Sequence, residues 1–141
     1  MTKFKSLLAA FLAAASLNAV AADWSMVSSS ADEQVFVDSQ SIIKGTDNLL
    51  QVRILENFAD TRDMGHGFYD HKSRFMLMVV DCKAGALTHQ QWTLHADALG
   101  TGATVWADGL QGGPAFFRPE AGTGYERVLA TVCNASIAMQ N

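Results

Sequence analysis

Hydrophobic and polar positions divide the chain into short segments with two different periods. Gln34 to Asp38 alternates polar and apolar residues and stops at Asp38-Ser39, the pattern of a strand with one buried face. Leu49 to Phe58 predicts a longer strand, with Leu50, Val52 and Ile54 on one parity and Arg53 and Asn57 on the other. Between them, Ile42 to Asn48 carries Gly45, Asp47 and Asn48 and reads as a hairpin-like connection. Phe75 to Cys82 is the most apolar segment and predicts a central strand covered on both faces. Leu87 to Ala96 alternates again, and Ala103 to Trp106 predicts a shorter strand after the turn Leu99-Gly100-Thr101-Gly102.

The period then changes. Tyr125, Val128, Leu129, Val132 and Cys133 recur at i, i+3, i+4, i+7 and i+8, the apolar stripe of an amphipathic helix, with Glu126 and Arg127 on the opposite face. Pro119-Glu120 ahead of this stripe is consistent with a helix start nearby. A run of strands followed by one helix, without repeat or linker, predicts a single α+β domain: one sheet of about five to six strands with a C-terminal helix packed on it.

The first 22 residues follow neither period. Lys3 and Lys5 precede an apolar Ala/Leu-rich run from Ser6 to Leu17, and Asn18 to Ala22 is a small-residue stretch. That is the three-part layout of a secretory signal, with cleavage expected after Ala22 or, as an alternative, after Ala21. An apolar run of about 12 residues is too short for the ~20 that a spanning helix needs. The expectation is therefore a cleaved leader over 1–22 and a domain over 23–141, exported to the periplasm or secreted. No cysteine stands near the cleavage site and no later segment is long and apolar enough to span, so neither a lipid anchor nor a membrane span is expected.

Export changes what charge and cysteines imply. The whole chain has 141 residues and a formal charge of −4, and loss of Lys3 and Lys5 with the leader takes this to −6. An acidic domain without a basic run excludes nucleic acid as a partner. Cys82 and Cys133 are the only cysteines, and an oxidising compartment favours pairing them. Their bridge would staple the helical stripe to the end of the most apolar strand and stabilise the fold by roughly 4 kcal/mol. A redox-active pair would need a C-x-x-C spacing that is missing.

Other candidate chemistry is sparse. His66 and His71, beside Asp63 and Asp70 in a loop from Asp60 to Ser73, offer an alternative reading as a metal or haem site, against solvated loop histidines as the plainer one. His89 and His95 share parity on a predicted strand but lie too far apart for one metal. The D-x-D-x-D-G spacing of a calcium loop is missing around Asp60, Asp63 and Asp70. No G-x-S-x-G elbow or phosphate cradle is present either, so no enzyme activity and no cofactor are expected. Trp92 and Trp106 on strands, and Phe116-Phe117 beside Arg118 in a loop, read either as core or as an aromatic-plus-Arg anchor for a protein partner.

The order of short motifs carries a further signal. Trp24-Ser-Met-Val27, Val35-Phe-Val-Asp38 with Ser41-Ile42, and Val52-Arg-Ile-Leu55 are followed by Tyr69, Ser73 and Val80-Asp-Cys-Lys83. Gly100-Thr-Gly102 with Val105-Trp106, then Pro119, and Val132-Cys133 complete the series. In this order they resemble the surface-adhesin protein E family of Gram-negative bacteria, over nearly all of 23–141. The resemblance implies an antiparallel sheet tethered to a C-terminal helix through Cys82 and Cys133. It also implies a non-enzymatic binding function towards host or envelope proteins, and homodimer formation. No ligand-binding residue of the family is carried over.

Overall fold

A computed structural model describes residues 22–65, 69–109 and 115–139. The leader expected over 1–22 lies outside the described residues except for Ala22.

Among the described residues seven strands form one antiparallel sheet: β1 (Trp24–Ser29), β2 (Glu33–Asp38), β3 (Ile43–Lys44), β4 (Leu50–Arg62), β5 (His71–Asp81), β6 (Ala86–His95) and β7 (Thr104–Gly109). Their spatial order is β1-β2-β4-β5-β6-β7, and the two-residue β3 pairs with the start of β4. Among the described residues there is one α-helix, α1 (Gly124–Ala138), which follows the strands. An antiparallel sheet with one helix on it is the architecture that the periodicity and the resemblance predict.

Register assigns each residue to a face. Val37, Ile54, Met76 and Trp92 stand opposite one another across β2, β4, β5 and β6. Their neighbours Val52–Met78 and Leu50–Val80–Leu87 continue that face, and α1 lays Val128 and Val132 onto it to make the core. Cys82, just past β5, is bonded to Cys133 of the helix with Cα atoms 5.6 Å apart. Tyr125, Leu129 and Cys133 also pack against this core, so the stripe read from the sequence is the buried one.

The helix start has a cap of its own. The Thr123 hydroxyl accepts from the Glu126 amide, and Glu126 Oε2 accepts from the Gly122 amide at 2.6 Å, a variant of the T-x-x-E capping box. Gly124 then brings the helix against β2: a Cβ there would lie 2.7 Å from Cγ2 of buried Val35.

β5 departs from the expected double coverage. Met76, Met78 and Val80 are buried under the helix, whereas Phe75, Leu77 and Val79 on the other parity are only half-buried. One helix covers one face, and the second face stays open except at one end. There the turn around Ala98–Gly100 folds over it: Ser73 Oγ donates to the Asp97 carbonyl (2.6 Å) and accepts from the Gly100 amide (2.8 Å). Asn57 Oδ1 accepts from the Leu99 amide at 2.8 Å.

Candidate functional site

The open face is built from two cross-strand rows. In one, Trp24 stands opposite Asp38, and Arg53 opposite Leu77, which in turn faces Gln91. In the next row, Met26, Phe36, Leu55, Phe75, Thr93 and Ala107 are successive partners. Period-two alternation puts all of these side chains on the face away from the helix.

Between the rows lies a groove of about 490 Å³, lined by Trp24, Arg53, Phe75, Leu77, Gln91 and Thr93, with Ala22 at its rim. That volume falls in the usual range for ligand and side-chain pockets. The Trp24 and Phe75 rings lie 5.6 Å apart, and the Arg53 guanidinium sits 5.8 Å from the Trp24 ring centre. Phe75 is held from behind by the turn. A Cβ at Gly100 (φ +72°) would lie 2.3 Å from the Phe75 ring, so only glycine lets the main chain approach this closely. His95 meets the same ring edge-on at 5.3 Å.

Arg53 does not offer a free charge. Its Nε and Nη2 both bond Oδ2 of Asp38, a carboxylate that is 1% exposed. The Gln40 amide and the Asp23 amide donate to Asp38 Oδ1 at 3.2 and 3.1 Å. The groove is thus apolar and aromatic with a locally neutralised polar rim, suited to holding a side chain.

The helix face carries a second polar cluster, which is structural. Glu56 is buried, and Arg74 bonds it through Nε (2.6 Å) and Nη2. Burial pushes the Tyr125 hydroxyl well up, and the Glu56 carboxylate adds to it. Burial, the largest single influence, would lower Arg74, but the charge and hydrogen bond of Glu56 together with Tyr125 and Glu33 outweigh it and the net shift is upward. Burial and, second, the Arg74 charge hold the His89 imidazole below its ordinary value.

The sequence-expected residues fall on different parts of this frame. Phe117 pairs its main chain with Leu87, both bonds at 3.0 Å, and lays its ring edge-on to Tyr125 of the helix. Phe116 and Arg118 beside it are exposed. Trp92 and Trp106 face the helix side and touch each other, 5.5 Å between centres, so they are partly core. Of these aromatics Trp92 is also among the residues lining the groove, whereas Trp106, Phe116 and Phe117 are not.

His71 corrects the reading of a solvated loop histidine. It opens β5, is buried, and its Nδ1 lies 2.7 Å from the Tyr69 carbonyl. His66 lies outside the described residues, so the pair is not seen together. Among the described residues no group of three or more His, Cys, Asp or Glu could hold a metal. His89 and His95 do not share a face: a bulge across from Leu77/Met78 reverses the parity, leaving His89 stacked on Trp92 and His95 against Phe75.

Comparison with known proteins agrees with this frame. The model of the surface-adhesin protein E family matches residues 24–134, from the first residue of β1 to the residue after Cys133. The chain belongs to that family. No curated protein and no solved structure matches it significantly. Family membership gives the chain a surface-adhesin-like role in general, and surface adhesion points to an exported protein that works by binding. Among the described residues no helix is long and apolar enough to cross a membrane. Sequence reasoning missed Trp24, Phe75 and Arg53 as one constellation, because strand pairing alone brings them together.

Proposed function

We propose that this family member is an exported, non-enzymatic adhesion module that docks a host or envelope protein on its open sheet face. The observation that carries the reading is the groove beside Trp24 and Phe75 on a sheet face that, among the described residues, is covered only at one end by the Ala98–Gly100 turn. Its chemistry suits a partner that lays one large apolar side chain against the paired Trp24 and Phe75 rings, with Gln91 and Thr93 bonding the polar groups around it. Aromatic walls with a neutralised arginine at the rim are the composition of protein-interface anchors.

The test is saturable binding of the exported protein to immobilised matrix and envelope proteins. Trp24→Ala should weaken binding about tenfold or more, a loss typical of interface anchors. Ala130→Glu, on the outer surface of α1, should leave it unchanged. Absence of any saturable partner would sink the reading. So would loss of binding in Phe116→Ala with full retention in Trp24→Ala, which would move the contact to the Phe116–Arg118 segment.

A further inference from the structure

We propose that buried Asp38 is the receptor for the α-ammonium that signal cleavage creates at Asp23, so that processing after Ala22 locks β1 onto the sheet. The inference rests on the export reading and is independent of the docking surface.

Asp23 is gripped on every polar group it has. Its amide nitrogen lies 3.1 Å from Asp38 Oδ1, its carbonyl accepts from the Ser39 amide at 3.1 Å, and its carboxylate accepts from the Ser39 hydroxyl at 2.9 Å. An amide offers Asp38 one neutral hydrogen. The ammonium left by hydrolysis of the Ala22–Asp23 bond would occupy the same place with a full charge and up to three donors, making the bond charge-assisted. Water adds across the peptide bond in that step, giving a carboxylate on the leaver and the amine on Asp23, protonated at neutral pH.

The surroundings balance the new charge. Asp38 presents Oδ2 to Arg53 from β4 and Oδ1 to the nitrogen of Asp23, and the Asp23 carboxylate stays beside its own nitrogen, held by Ser39. Two cations would then share two carboxylates, one of them buried. Ala22 lines the groove next to Trp24, so the same cut removes one residue from the groove's rim. Cleavage one residue earlier would leave Ala22 as the terminus, with its ammonium displaced from Asp38.

The intact mass of the product exported from cells expressing the full chain should correspond to a start at Asp23. A processed product starting elsewhere would overturn this proposal while leaving export standing, whereas an unprocessed product would overturn both. The second readout is acylation of the α-amine against pH, followed by mass spectrometry of the N-terminal peptide. A carboxylate partner should raise the labelling midpoint above the ordinary range of about 7.7–8.0, which the same protein in urea should show. Equal midpoints in folded and unfolded protein would overturn the assignment. Asp38→Asn should abolish the difference. If that variant fails to fold, Arg53→Met, which keeps the carboxylate, should retain the raised midpoint, and its loss there would count against Asp38.

Discussion

Glu33 shows how one residue's surroundings set a pH dependence that its sequence neighbours do not suggest. It stands at the start of β2, half-buried, and burial first and the Glu56 carboxylate second raise its pKa. A carboxylate with a raised pKa in the fold favours folding at low pH, and that contribution is lost as pH rises through the folded value. At neutral pH the charged form is therefore a cost. Glu33→Gln should raise the melting temperature at pH 7 by about 1–2 °C. Melting series towards pH 4 should show the gain shrinking as the native carboxyl takes up its proton. A gain that persists unchanged to pH 4 would contradict this account. The neighbouring Glu56 is a different case, because Arg74 compensates it directly, and breaking such a pair strands a buried charge.

At the level of elements, what the sequence discloses depends on how regular each element's burial is. β2, β4 and α1 are legible because apolar residues recur with one period over most of their length, and β6 shows enough of the pattern to be found although its bulge reverses the parity part-way. β1 is not: Trp24-Ser-Met-Val-Ser-Ser sits at the sheet edge with a bulge between Met26 and Ser28 that breaks the alternation. The first turns of β5 hide for another reason. His71, Ser73 and Arg74 are polar residues taken into the fold by hydrogen bonds to Tyr69, Asp97, Gly100 and Glu56, so no apolar signal marks them. The groove was invisible on the same ground, since Trp24, Arg53 and Phe75 meet only through register. The helix start was readable in principle from Thr123-x-x-Glu126, although Pro119 drew attention four residues earlier. It also gives a prediction with an inverted sign. Gly→Ala within a helix is ordinarily favourable by about 1 kcal/mol. Gly124→Ala should instead destabilise, by about 1–3 kcal/mol, because the new Cβ meets buried Val35 in a packed core. Chemical denaturation of the two proteins compares them directly, and a variant more stable than the native chain would refute the packing argument.

Across the whole molecule, the two faces of the sheet have separate jobs. The helix face holds the core and the Glu56–Arg74 cluster, while the open face holds the groove. What joins the chain's ends to this plan is the Cys82–Cys133 bond. Titration of the denatured, unreduced protein should find no reactive thiol, and two thiols per chain would refute the bond. Replacing both cysteines with serine should lower stability by about 4 kcal/mol, since the bridge restricts a loop with a sequence separation of 51 residues. The same bridge also decides how the domain carries mechanical load. Tension applied between β1 and the segment beyond Cys133 would run along the chain to Cys82, cross the sulfurs and leave at Cys133. β6, β7 and most of α1 lie inside the covalent loop and outside that path. Roughly 170 Å of contour stays hidden from a pulling force, and the load falls on the pairing of β1, β2, β4 and β5, three of which line the groove.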